Sequence, residues 1–426
     1  MKPKLTILLG AGSTLKLGLG APDAVSGMPS TAELTERIAR LQFPAAVRRG
    51  VPFVYGPDQK YPFSIDKPFP LLPAIYSALS GAFRDVDFEL ILHAVEQLQP
   101  LVVSADPGYL SDRYHPVVGA FTEVRRRFDL LCDWTVLLAV RRSVISEIYT
   151  AINSKSVSIS GDRLPLHTFI QSLEKEFQIS VFTLNYDDLV DGARSSWFDG
   201  FTGPVEGAAQ GHIWTVKAFD ARLFDNWRDA TEPLLAHLHG SVRFGYMRGQ
   251  FGVGKYSDSQ AAFASLEVSV SDQHSAGQIV SASPIISGLS KVAKLALNPE
   301  PFGYYYRAFV DAVLGSKRLL VIGYGARDDH VNTWLEQFQK KHADGRRVVW
   351  ICKLPGTSVG ERTMEKDMIQ ALAGPGNFQE YQHYDCRNDS EKFKFCGALG
   401  LVPSGFPVEP GTEAKILDFL KVPRTV

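Results

Sequence analysis

The sequence predicts an α/β fold with a doubly wound, mainly parallel sheet and a helical insertion, on three observations. Short apolar runs at 5–9, 179–183, 234–238, 318–322 and 347–352 alternate with segments whose apolar residues recur at helical spacing. That pattern means parallel strands joined by helical crossovers. Four of the runs end in glycine or polar residues, and open α/β sheets bind ligands at the carboxyl ends of their strands. Between about residues 44 and 160 the alternation gives way to helical periodicity alone. The expected division is a core of 1–43 and 161–426, interrupted by a mainly helical insertion at 44–160.

Taken in order, Leu5–Leu9 reads as a buried strand that runs into Gly10-Ala11-Gly12-Ser13. A helix starts at Ser30, where Ser30 and Glu33 have the spacing of a capping box ahead of Leu34, Ile38 and Leu41. Residues 44–73, rich in proline and aromatics, read as an irregular excursion. Phe88, Ile91, Leu92, Val95 and Leu98 predict a helix over 83–98, and a long amphipathic stretch covers about 116–152, with Arg125–Arg127 on a solvated face. A helix over 166–176 leads into the strand 179–183. Residues 257–283, rich in Ser, Ala and Gln, predict a mobile loop or covering segment. Helices near 303–314 and 329–341 flank the strand 318–322.

Composition excludes several classes. Among 426 residues, 45 Lys plus Arg nearly balance 46 Asp plus Glu, so there is no overall basic footprint for nucleic acid. The 45% hydrophobic content permits a large core. None of Cys132, Cys352, Cys386 and Cys396 forms a C-x-x-C pair, which argues against a zinc ribbon or a disulfide framework. No apolar run reaches the roughly 18 residues that span a bilayer. A soluble cytoplasmic protein is the expectation.

Four strand ends carry chemistry. Leu8-Leu9-Gly10-Ala11-Gly12-Ser13-Thr14 follows a strand as a phosphate loop would, but Leu15 stands where a third glycine belongs and no acid ends a strand about 20 residues on. Nucleotide binding and a tight turn both remain open there. The second is Thr183-Leu184-Asn185-Tyr186-Asp187, which puts an amide and a carboxylate at a strand end; either Asp187 or Asp188 is expected to cap the next helix. The third is Leu238-His239-Gly240-Ser241, where a strand delivers His239 and Gly240 leaves its ring room to face a cleft. His93 and His167, on helical patterns, read as structural. The fourth is Gly323-Tyr324-Gly325, ahead of a helix that Asp328 or Asp329 is expected to cap.

The order of these motifs resembles the sirtuin-like family, whose GAG-S loop, Gly-x-Pro segment, T-x-N-x-D strand end, His-Gly step and late Gly-x-Gly loop surround one NAD molecule. Gly10-Ala11-Gly12-Ser13, Gly27-Met28-Pro29, Thr183 through Asp187, His239-Gly240 and Gly323-Tyr324-Gly325 match them here. The Asn-Tyr-Asp-Asp version, the helix at 87–92 and the His-Gly-Ser ending look most like the bacterial branch found in antiphage defence. The four-cysteine zinc module of protein-deacylating sirtuins is missing.

The resemblance implies a Rossmann-like NAD+ glycohydrolase with NAD+ as substrate and no metal. In it, Asn185 holds the ribose hydroxyls and the attacking water, Asp187 meets the nicotinamide end, and His239 is the base. Gly10, Ala11, Gly12 and Ser13 wrap the pyrophosphate with Gly323 nearby, and Thr183, Tyr324 and Gly325 complete the NAD site, with the strand end at Cys352 near the adenosine. Asp188 is left as the structural cap. The competing readings are an NAD-dependent deacylase, disfavoured by the missing zinc cysteines, and a catalytically silent nucleotide-binding assembly module. The resemblance also implies a partner, such as a HerA-type ATPase or a short Argonaute. The apolar run Val136, Leu137, Leu138 and Val140 either packs on the sheet or, with residues 53–76, joins copies of the chain into a homo-oligomer.

Overall fold

The structure is a computed structural model. It describes residues 2–15, 28–42, 70–104, 115–128, 133–159, 164–209, 212–247, 252–266, 284–287, 291, 294–295, 299–352, 394–396, 398–402 and 404–421. Gly27 and residues 53–69 lie outside these, as do Cys132 and Cys386.

The first strand, β1 (Lys4–Leu9), is central and almost fully buried. After it come α1 (Thr31–Ala39) and the insertion helices α2 (Leu71–Ala82), α3 (Phe88–Ser104), α4 (His115–Phe128) and α5 (Asp133–Ile159). The stretch predicted as one amphipathic unit over 116–152 is thus two helices. The capping box forms as expected: Ser30 Oγ accepts from Glu33 N (3.2 Å) and Glu33 Oε2 accepts from Ser30 N (2.6 Å). Of the apolar run in α5, Leu137 and Val140 are completely buried within the chain's own core.

Chain alternation resumes with α6 (Pro165–Glu176) and β2 (Gln178–Thr183). An element the sequence pattern does not reveal comes next, a small antiparallel sheet of β3 (Phe201–Ala209), β4 (His212–Phe219), β6 (Phe244–Tyr246) and β7 (Val253–Tyr256). Short α7 (Ala221–Asp225) and core strand β5 (Leu234–His237) lie between β4 and β6. Lys255 on β7 pairs with Asp191 (2.7 Å) and Asp199 (2.8 Å), and Asp191 also meets His237 Nε2 (2.9 Å), so buried charge ties the small sheet to the large one. Burial opposes ionisation of Asp191, but Lys255 and His237 outweigh it and hold its carboxyl far below the usual range. Part of the predicted loop 257–283 is also ordered: residues 259–266 are helical, with Ala261, Ala262 and Leu266 buried.

The chain closes with α8 (Tyr304–Gly315), β8 (Arg318–Ile322), α9 (Asp329–His342), β9 (Arg347–Ile351), β10 (Lys394–Cys396), β11 (Leu399–Val402) and α10 (Pro410–Lys421). The main sheet has the order β10-β11-β9-β8-β1-β2-β5; six strands are parallel and β10 is an antiparallel edge. Side chains alternate across it. Ile7, Val181, Leu320 and Val349 join the cluster that holds α1 to α6, whereas Leu8, Phe182, Val321 and Trp350 join the one that holds α8 and α9. The fold is therefore the expected doubly wound, Rossmann-like α/β sheet, and the insertion helices share a core with one of its faces. Among the described residues no helix is long and apolar enough to cross a membrane.

Register fixes where function sits. Leu9 pairs with Thr183 and with Ile322, and Thr183 pairs with His237. All four strands thus end at one level, which brings the four predicted motifs to one edge. The strand order turns at β1, with β2 on one side and β8 on the other, so this edge is also a topological switch point.

Candidate active site

The glycines of β1 and β8 do a job that the sequence did not announce. Gly10 N donates to Ile322 O (2.8 Å) and Gly12 N to Gly323 O (2.9 Å), which locks the two loops together. A Cβ on Gly10 would stand 2.7 Å from Gly323 O, one on Gly12 would stand 2.8 Å from Gly323 Cα, and Gly323 itself has a φ of +66°. These positions need glycine because two backbones touch. Ser13 N is also engaged, by Gly10 O. Ala11 is exposed at the tip of the loop.

Asn185 is buried beside this loop. Thr183 Oγ1 accepts from Asn185 N (3.1 Å) and shapes the turn that delivers it. Asn185 Nδ2 donates to Ser13 Oγ (3.1 Å), with Thr14 Oγ1 at 3.4 Å. Its Oδ1 is buried with no hydrogen-bond partner among the described residues. A buried amide oxygen left unpaired costs on the order of 1–3 kcal/mol, so it marks a place for a ligand's hydroxyl or a water.

Asp187 corrects one expectation. Its Oδ1 accepts from Leu189 N (3.2 Å), so Asp187 caps the next turn, whereas Asp188 makes no capping bond and faces Arg243 Nη1 (3.4 Å). The other oxygen of Asp187 accepts from Thr14 Oγ1 (3.0 Å). Burial is the dominant influence on this carboxyl and pushes its pKa up to about 6, against the pull of those two hydrogen bonds. Tyr186, between Asn185 and Asp187, points elsewhere, its hydroxyl at 3.4 Å from Glu89 Oε1.

His239 occupies a second, charged half of the site. Gly240 does not make room for its ring as the sequence suggested: with φ +94° it lets the segment at Pro284–Ile285 pass, and a Cβ there would stand 2.8 Å from Ile285 Cα. His239 is 3% exposed, and its Nε2 lies 3.4 Å from His330 Nε2 and 3.8 Å from Asp328 Oδ1. Burial, then the Lys291 ammonium, drives its pKa well below the ordinary value, so the ring is neutral. Burial also lowers His330.

Asp328 stands at the N-cap of α9 but makes no side-chain cap, because its carboxylate has turned to Lys291 and His239. Burial favours its neutral form, yet the charge and hydrogen bond of Lys291 oppose it and the carboxyl is held at about 2. Lys291 bridges Asp328 to Glu89 Oε2 (3.1 Å) of α3. Burial pushes Glu89 up despite Lys291. The insertion therefore supplies a member of the site, and α5 braces it: Tyr149 donates to Phe244 O (2.5 Å), with Ser241 O at 3.1 Å, in the segment after His239.

Three strand intervals separate β5 from β8, about 14 Å at the usual spacing. For His239 and His330 to come within 3.4 Å, their loops must arch over the ends of β1 and β2. The predicted residues Gly10, Ala11, Gly12, Ser13, Thr183, Asn185, Asp187, His239, Gly323, Tyr324 and Gly325 all lie along this edge. Tyr324 is committed to its own loop, its hydroxyl donating to Asn332 Oδ1 (2.9 Å) and accepting from Asp328 N (3.2 Å). Glu89, Lys291, Asp328 and His330 are members of the site that the sequence does not single out. The only signal for them is the Asp-Asp-His run after Gly325, which reads as a cap. Among the described residues, His239, Asp328 and His330 are also the one group with the spacing of a metal site. A groove at the opposite, amino-terminal end of the sheet, along Gln178–Ser180 and Pro233–Leu234, holds none of these groups.

Residues 179–372, a little under half of the chain, match the SIR2-like domain family. The match spans Asn185, Asp187, His239, Lys291, Gly323, Asp328 and His330, and leaves the Gly10–Ser13 loop and Glu89 outside it. No curated protein matches the chain. The SIR2-like fold is NAD-binding in general, and the match supports a sirtuin-like, NAD-utilising reading.

Proposed function

We propose that this chain is an NAD+ glycohydrolase that releases nicotinamide and ADP-ribose. Asn185 carries the reading. Its amide nitrogen is tied to Ser13 of the glycine loop, and its buried Oδ1 is left to hold a ribose hydroxyl or the attacking water. In the reaction the bond between ribose C1′ and the nicotinamide nitrogen breaks, and its electron pair leaves on nicotinamide. Positive charge builds on the ribose, as in other glycosidic cleavages. A water oxygen then bonds to C1′, and the proton it sheds passes to His239, whose neutral ring is a base at physiological pH. Asp187, ionised above about pH 6, faces the developing charge. Ala11 meets the pyrophosphate, with Gly323 and Ser13 beside it.

The resemblance extends the reading to the NAD-depleting effector of an antiphage defence system, a homo-oligomer worked by a partner such as a HerA-type ATPase or a short Argonaute. Purified protein incubated with NAD+, with and without an acetylated peptide, tests the core claim. Nicotinamide released without peptide supports hydrolysis. Peptide-dependent turnover assigns a deacylase instead, and binding without turnover a silent module.

A further inference from the structure

We infer that His239, His330 and Asp328 form a site for a divalent transition-metal ion of the zinc type, in which metal occupancy and base function exclude each other. Ligands about 2.0–2.1 Å from a tetrahedral zinc stand about 3.3–3.4 Å apart. The two Nε2 atoms are 3.4 Å apart, Asp328 Oδ1 is 3.8 Å from His239 Nε2, and the three ligand atoms all lie within 4.8 Å of one another, so side-chain shifts close the set. Two imidazoles and one carboxylate are a donor set that zinc accepts, with its fourth position open to water.

The two rings present their Nε2 atoms to each other, so both nitrogens already face the position a metal ion would take. The missing cysteine module bears on a different kind of site and does not count against this one.

Lys291 is the opposing group, since its ammonium already touches Asp328. Glu89 offers it a second anchor at 3.1 Å. The ammonium weakens the metal site without filling it, because among the described residues its ion pairs are with Asp328 and Glu89 and with neither histidine. A metal held there takes the Nε2 lone pair that the proposed hydrolysis needs. That consequence rests on the glycohydrolase reading, while the binding itself does not. It offers a way to keep the enzyme silent.

The test is equilibrium dialysis of the whole chain against zinc, with cobalt(II) as the spectroscopic probe. About one zinc per chain at micromolar free metal, and visible cobalt bands of a four-coordinate site, are expected. His330→Ala should weaken binding by more than about 100-fold, beyond what loss of an orienting group costs. Lys291→Met, which removes the competing ammonium, should tighten it. No retained zinc at micromolar concentration overturns the proposal, as does zinc bound equally by wild type, His330→Ala and Asp328→Ala. Nicotinamide release is measured in parallel. Zinc binding without any hydrolysis by the metal-free protein keeps the site and rejects the glycohydrolase. Hydrolysis that persists with one zinc bound per chain overturns the exclusion.

Discussion

The two halves of the site are built on opposite principles. Around Gly10, Gly12 and Gly323 the chain relies on backbone: two loops touch where side chains would collide, and Asn185, Ser13, Thr14 and Asp187 add the polar groups. Around His239 it uses charge, with Glu89, Lys291, Asp328 and His330 packed into a buried chain of contacts. The first half holds by shape and tolerates no added atom. The second holds by compensation, so its members depend on each other's ionisation. A binding surface suits the first kind of construction, and a proton-handling one suits the second.

Asn185→Ala is the sharpest way to break that division. It should cost on the order of 10²-fold or more in NAD+ hydrolysis while the melting curve stays close to native. Near-native turnover by a folded variant would remove Asn185 from the reaction. Gly323→Ala attacks shape. Its φ of +66° and the contact with Ser13 N should together cost about 2–4 kcal/mol of stability, read by chemical denaturation. A stable Gly323→Ala protein would mean that the loops separate readily.

Asp187 tests whether the glycine side is as free of charge effects as its neighbours suggest. Its folded pKa of about 6 lies above the ordinary 3.8, so the folded state binds this proton more tightly than the unfolded chain does. Stability attached to the group is full below about pH 4 and is lost as pH rises to about 6, by at most about 3 kcal/mol. Asp187→Asn should flatten that slope in denaturation measured across pH 4 to 7. The same variant should abolish a rise in hydrolysis through about pH 6, because the ionised form is the one that faces positive charge. If the rise survives, it belongs to another group. Ser13→Ala is the mildest change: one hydrogen bond to Asn185 Nδ2 is worth about 1 kcal/mol, or about five-fold in rate. A much larger loss would put Ser13 in direct contact with the substrate.

The same contrast explains what the sequence made legible. The glycine half is local: Gly10 to Ser13 and Thr183 to Asp187 are short runs at strand ends, and the parallel register brings them together without further information. The charged half is scattered over Glu89, His239, Lys291, Asp328 and His330, and no spacing rule links a helix residue to an ammonium two hundred positions later. Asp328 misleads for a physical reason. At a helix N-cap a free carboxylate bonds to the backbone, but here a buried lysine and histidine outbid it. The small sheet escapes notice because β3 carries Gly203, Pro204 and Gly207, which weaken any strand pattern.

Tyr149 and Glu89 give the insertion a standing that its place in the sequence conceals. The one grips a carbonyl beside the histidine loop, and the other shares the lysine that faces the histidine itself. A trimmed protein without residues 44–160 would expose the face of the sheet that these helices cover and leave Lys291 with one anion instead of two. The smallest unit able to carry this chemistry is therefore larger than the sheet and its crossovers. Engineering that grafts the strand-end motifs onto a bare Rossmann-like scaffold should yield a nucleotide-sized cleft without a working base.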